Sequence, residues 1–87
     1  MFIVRKKAWP EFFEKVLKGE KKFDLRLGDF NINEGDVLVL EEWDPKTKEY
    51  TGRKIEKKVK SLMRTKNLDF WTKEEIDEFG LVVISFD

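Results

Sequence analysis

Trp9-Pro10-Glu11-Phe12-Phe13-Glu14-Lys15-Val16-Leu17-Lys18-Gly19 is the stretch that decides the fold. Trp9, Phe12, Phe13, Val16 and Leu17 fall at i, i+3, i+4, i+7 and i+8, the spacing of one buried helical stripe. Pro10 suits the first helical position, where its missing N–H costs nothing. Glu11 and Glu14 come early and Lys15 and Lys18 late, the order the helix dipole favours, and they form two i,i+4 pairs. Gly19 supplies a left-handed stop. The pattern predicts a helix over about 10–18.

Working outward, Phe2-Ile3-Val4 before Arg5-Lys6-Lys7 reads as a first strand with a basic end. After Gly19 the period drops to two. Phe23, Leu25 and Leu27 share one face and Lys22, Asp24 and Arg26 the other, as in a half-buried strand. Val37-Leu38-Val39-Leu40 reads as a strand covered on both faces, running into Glu41-Glu42-Trp43. Asp44-Pro45-Lys46-Thr47-Lys48 is turn chemistry. Arg53–Lys66 fits either a helix or a strand, and the turn upstream favours a strand returning from a hairpin. Thr72 and Glu75 make a capping box, with Trp71 and Ile76 as its hydrophobic staple, opening a short helix over about 73–79 that stops at Gly80. Leu81–Phe86 is a final strand.

The order β-α-β-β-β-α-β predicts a single α+β domain over 1–87. A wholly parallel sheet needs helices regularly spaced between strands. A small, mostly antiparallel sheet or barrel of about five strands with two helices fits better. Phe12, Phe13, Phe23, Phe79 and Phe86 are expected in its core.

Composition narrows the chemistry. The chain is 41% charged and carries no net charge, but eight Phe, three Trp and one Tyr argue against disorder. No Cys and no His are present, which removes thiolate nucleophiles, the commonest metal ligands and the commonest general base. Neither a metal nor another cofactor is expected. The absence of Gln beside abundant Lys and Glu resembles the composition of hyperthermophile proteins. No apolar run reaches a membrane span, and Met1–Arg5 is too short and too soon charged for a secretory leader, so a cytoplasmic monomer is the expectation.

Gly19-Glu20-Lys21-Lys22-Phe23-Asp24-Leu25-Arg26 resembles the G-x-K-x-x-E-x-R signature of ASCH domains, in the PUA-like superfamily. Trp9–Phe13, Glu34–Pro45, Tyr50-Thr51-Gly52-Arg53 and Gly80–Ser85 extend the resemblance over essentially the whole chain. They point to the ASCH-like subfamily of unknown function DUF3850. The resemblance implies a PUA-like barrel with a helix at one opening and a cleft between them. It also implies RNA binding or, in a few small members, hydrolysis of an N4-acylated cytidine. The signature Glu is Asp24 here, and the N-terminal His common in the subfamily is missing. In the hydrolases a Thr stands at the position of Asp24 and works with the Lys matching Lys21, so that nucleophile is lacking. Lys21 and Asp24 are what remains of a catalytic pair.

Apart from the family, Asp24 and Arg26 lie two apart on the expected strand and can reach one ligand. Arg offers a planar fork for phosphate or a base edge, and a carboxylate can accept from an exocyclic amine. Lys21 is a phosphate contact if it sits at the strand entry, since strand parity otherwise turns it away. The plain alternative is a surface ion pair worth ~0–1 kcal/mol. Lys54, Lys58, Lys60 and Arg64 would stripe one face of a strand over 53–66, either tracking phosphates or protecting an edge. Trp43, Tyr50, Trp9 and Phe30 are candidates to stack a base, with Trp43 and Phe30 foremost.

RNA or a nucleotide is therefore the expected partner. A nucleoside hydrolase and a protein-interaction adaptor are the alternatives. The zero net charge resolves into blocks: +4 over residues 1–27, −5 over 28–50, +6 over 51–66 and −5 over 67–87. If the two positive blocks are neighbours, one face of the domain is basic.

Overall fold

The computed structural model describes residues 1–66 and 68–86. Its elements are β1 (Ile3–Ala8), α1 (Pro10–Leu17), β2 (Val37–Asp44), β3 (Glu49–Lys58) and α2 (Lys73–Phe79). Both helices lie where the sequence places them. Trp9 enters α1 in extended backbone, with Pro10 in the first turn. At the other end Gly19 has φ +78°, its N–H donates to Val16 O, and Glu20 N–H donates to Lys15 O. That pair of bonds is the Schellman stop, which needs a residue tolerant of positive φ. In α2, Glu75 N–H donates to Thr72 Oγ1 at 3.1 Å and Thr72 N–H to Glu75 Oε1 at 2.9 Å, closing the capping box.

The sheet is open, in the order β1-β2-β3. Its longer ladder, β2 with β3, is antiparallel, and β1 lies parallel to β2 with α1 in the connection. The hairpin reverses through Asp44–Glu49, where Asp44 accepts from the N–H groups of Lys46 and Lys48. Arg53–Lys58 is strand, as the turn implied; Val59 still bonds to Gly35 and Asp36, and Lys60 to Lys66 run on irregularly.

Three strands stand where about five were expected, and no barrel closes among the described residues. Lys22–Leu27 joins no ladder. Leu25 and Leu27 are 71% and 78% exposed, so the alternation has no covered face to serve. The segment is tied to β1 by the Arg26 side chain, and the residue before it, Lys21, donates its backbone N–H to Lys15 O in the last turn of α1. Leu81–Phe86 also lacks a partner strand, and no residue of α2 is buried. Propensity marks such a segment as fit for a sheet, but pairing partners make the strand.

The core is Ala8, Phe13, Val16 and Leu40, with Leu38 and Ile55 packed against it. These come from the inward faces of α1 and all three strands. Phe13 is 1% exposed, whereas Phe12, Phe79 and Phe86 are exposed and Phe23 half-buried, so four of the five expected core phenylalanines lie outside it. The helical stripe buries its centre, Phe13 and Val16, because a three-stranded sheet covers only part of a helix face.

Asp36 ties the far end of the sheet together. Its carboxylate accepts from Phe2 N–H at 2.9 Å and Asn33 N–H at 2.8 Å, while its carbonyl accepts from Val59 N–H. The Phe2 and then the Asn33 bond hold its pKa below the ordinary Asp value. A depressed folded-state pKa contributes stability that is full above the unfolded-state value, about 4, and is lost as pH falls through the folded value. Thermal melts are therefore expected to fall below about pH 4. Asp36→Asn should melt lower at neutral pH, because its Nδ2 cannot accept, and show a flatter acid limb.

Candidate nucleic-acid interface

Strand parity and register sort the basic and aromatic side chains. Across the sheet Ile3, Val37 and Lys58 align, as do Arg5, Val39 and Glu56, and Lys7, Glu41 and Lys54. Partners in register share a face, and alternate residues along a strand share it too. The face turned away from α1 therefore carries Arg5, Lys7, Lys54 and Lys58 against Glu41 and Glu56. Trp43 and Tyr50, paired at the hairpin end, belong to it. Lys7 Nζ lies 4.5 Å from the Trp43 ring centroid and 5.8 Å from that of Tyr50, which identifies cation–π contacts on both rings.

A bulge aims this hairpin end. Glu41 pairs with Lys54 and Trp43 with Tyr50, so Thr51, Gly52 and Arg53 stand opposite the single residue Glu42. Gly52 has φ +94°, a conformation that favours glycine. The detour turns Thr51 and Arg53 inward onto Glu42 and leaves Trp43 and Tyr50 outward. Glu42 is 5% exposed and accepts from Thr51 Oγ1 at 2.6 Å, Arg53 Nε at 3.0 Å and Arg53 Nη2 at 2.9 Å. Arg53 also reaches Glu14 on α1 at 2.9 Å and lies over the Phe13 ring. Arg53, and after it Thr51, holds the Glu42 carboxyl below the ordinary Glu range, while Glu42 and then Glu14 keep Arg53 more firmly protonated.

A hydroxyl against a buried carboxylate has the atoms of a nucleophile and base. Here Arg53 occupies both carboxylate oxygens and lowers their basicity, the opposite of what a general base near neutral pH requires. The group is a clamp of α1 on the sheet.

The signature residues divide. Arg26 makes a two-point ion pair with Asp24, through Nε to Oδ2 and through Nη2 to Oδ1. Arg26 Nη2 also donates to Lys7 O at 3.2 Å, which anchors the pair to β1 at the residue whose ammonium lies over Trp43 and Tyr50. Lys21 is elsewhere: its Nζ lies over the rings of Phe12 and Phe23, 4.8 and 5.1 Å from their centroids. Lys21 and Asp24 share no hydrogen bond or salt bridge among the described residues. A shallow depression of about 280 Å³ near the signature is lined by Gly19, Glu20, Lys22, Ser85 and Phe86, and not by Lys21, Asp24 or Arg26.

Phe30 and Trp43 do not form one stack. Lys6 Nζ caps the Phe30 ring at 3.8 Å, and Lys6 points to the face of β1 opposite to that of Lys7. The Phe30 carbonyl accepts from Arg64 Nη2 at 3.0 Å. Of the expected basic stripe, Lys54 and Lys58 share the platform face, while Lys60 and Arg64 fall beyond β3 and leave it. Within the sheet the strands of the two positive blocks are not adjacent, since acidic β2 runs between β1 and β3. The face stays net basic because Glu42 turns inward and is matched by Arg53.

The family described as Domain of unknown function (DUF3850) matches residues 5–76, a span that holds β2, β3, most of β1 and the Asp24–Arg26 pair. The chain belongs to that family. It is also similar to the "Uncharacterized 12.9 kDa protein in GpA 3'region" of Escherichia phage P2, 38% identical over 53 residues, which are 61% of this chain and 47% of the relative. The chain thus spans about half the length of that curated relative. No solved structure matches it.

For this DUF3850 chain, Arg5 and Lys7 are the basic residues of the candidate face that the sequence alone did not single out. The signal was there in Arg5-Lys6-Lys7 closing a strand, whose parity sends Lys6 one way and its neighbours the other. Finding their partners required the parallel register of β1 on β2. Among the described residues no three acidic side chains group as metal ligands, and no helix is long and apolar enough to cross a membrane.

Proposed function

We propose that this DUF3850 chain is a cytoplasmic RNA-binding module of the ASCH and PUA-like type, using the sheet face opposite α1. The observation that carries the reading is the Lys7–Trp43–Tyr50 corner, where stacking rings and a cation meet on a face that also presents Arg5, Lys54 and Lys58. An exposed ring, Tyr50, beside the half-buried Trp43 and interleaved with basic groups suits unpaired bases and the phosphates between them. The signature pair at the edge of this face supports the same reading.

Affinity for a short single-stranded RNA should fall with salt, by about 0.7 log units per log unit of salt for each phosphate neutralised. Three to five cations in use predict a slope between about −2 and −3.5. Background binding at low salt across single-stranded and structured RNAs would reject the reading.

One observation favours a second reading, a protein partner. Phe79, Leu81, Val82, Ile84 and Phe86 are all exposed within eight residues of chain, and exposed apolar side chains in such number suit an interaction surface. Capture that survives nuclease treatment and is lost on truncation after Gly80 separates this reading from the first.

A further inference from the structure

We infer that the corner formed by Arg26, Lys7, Trp43 and Tyr50 takes an unpaired nucleotide, its base on the two rings and its phosphate on Arg26 Nη1 and Lys7 Nζ. In this assignment Asp24 is a positioning residue and does not read the base. The inference rests on the RNA-binding reading and names the unit of ligand that the site recognises.

The donors of Arg26 can be counted. A guanidinium has five N–H groups. Nε–H and one Nη2–H go to the two oxygens of Asp24, and Nη2 also donates to Lys7 O. The two N–H groups of Nη1 have no partner among the described residues. A guanidinium fixed on one edge by a carboxylate and a strand carbonyl presents its remaining donors at little entropic cost, which suits an anion. Asp24 is correspondingly committed. Each of its oxygens already accepts from Arg26, and an exocyclic amine would compete with that pair.

Lys7 completes the site from the other side. It makes no salt bridge among the described residues, although Glu41 is its neighbour in register. Its ammonium rests on the Trp43 and Tyr50 rings instead. A base can replace that ammonium on the rings, and the ammonium then has the base's own phosphate to pair with. Both contacts need a free π-face, which a paired and stacked base does not offer. The site should therefore select single strands or free nucleotides over duplex.

The test is an NMR titration of the full chain, read at the Trp43 indole N–H. The probes are 5′-nucleoside monophosphates, the matching nucleosides, inorganic phosphate, a single-stranded RNA hexamer and the same hexamer annealed to its complement. Monophosphates and single-stranded hexamer should shift the Trp43 indole, with nucleosides at least tenfold weaker and phosphate and duplex leaving it in place. Arg26→Lys should lose about tenfold for the monophosphate and nothing for the nucleoside. Asp24→Asn should lose part of the same advantage, and Lys21→Ala none. Equal affinity for nucleoside and monophosphate, or for duplex and single strand, overturns the inference.

A hexamer that binds with the expected salt slope while the Trp43 indole stays still overturns the inference and leaves RNA binding standing. A monophosphate binding as tightly as the hexamer supports the inference and makes the free nucleotide, not RNA, the ligand. No binding by any probe rejects both.

Discussion

Phe13→Ala should cost about 3–5 kcal/mol of folding free energy, the range for removing a buried aromatic. Small domains hold only about 5–15 kcal/mol in total, so this variant is expected to lie near its unfolding midpoint at 37 °C. Phe13 is 1% exposed, packs with Ala8, Val16 and Leu40, and supports the Arg53 guanidinium 5.0 Å from its centroid. Deleting the ring opens a cavity beneath the clamp that fastens α1 to the bulged hairpin. Phe12→Ala is the control. Phe12 is 44% exposed and carries Lys21 on its ring, so its loss should cost no more than about 1 kcal/mol. Urea midpoints of the two variants measure the contrast directly. Equal losses would mean that α1 is seated on the sheet in a different rotation.

Trp43→Ala should weaken binding of a short single-stranded RNA by about 5- to 150-fold, the equivalent of one base–aromatic stack worth about 1–3 kcal/mol. The substitution removes the nearer of the two rings under Lys7 while leaving the inward clamp of Glu42, Thr51 and Arg53 in place. Stability should therefore change little compared with Phe13→Ala. Trp71→Ala is the matched control, 49% exposed and outside the three-stranded sheet. Fluorescence anisotropy with labelled RNA at low salt reads both. A Trp43 variant that binds like the wild type would remove the ring from the interface.

The helices were legible in the sequence because each carries its own start and stop. Pro10 and Gly19 bracket α1, and the Thr72–Glu75 box opens α2. The hairpin was legible from Asp44-Pro45-Lys46, and it decided correctly for a strand over Arg53–Lys58. Lys22–Leu27 and Leu81–Phe86 show the limit of such reading. Alternation and β-branched residues describe a surface fit for a sheet, and no local pattern says whether a neighbouring strand arrives. The same limit applies to the candidate site. Asp24 with Arg26 could be read from a spacing of two, and Trp43 from its place before the turn. Lys7 could not, because its partners lie some 36 and 43 residues downstream and are fixed by a parallel register and a bulge. The sequence Tyr50-Thr51-Gly52-Arg53 makes sense only once Gly52 is seen to let Thr51 and Arg53 both turn inward onto Glu42 while Tyr50 stays outward.

Charge reversal tests the proposal that RNA lies on the sheet face opposite α1. Lys54→Glu with Lys58→Glu alters that face, while Lys60→Glu with Lys66→Glu makes the same change in net charge beyond the end of β3. Anisotropy with single-stranded RNA at low salt should show binding abolished by the first pair and retained by the second. Equal affinities in the two variants, or no RNA binding by the wild type, would contradict the account.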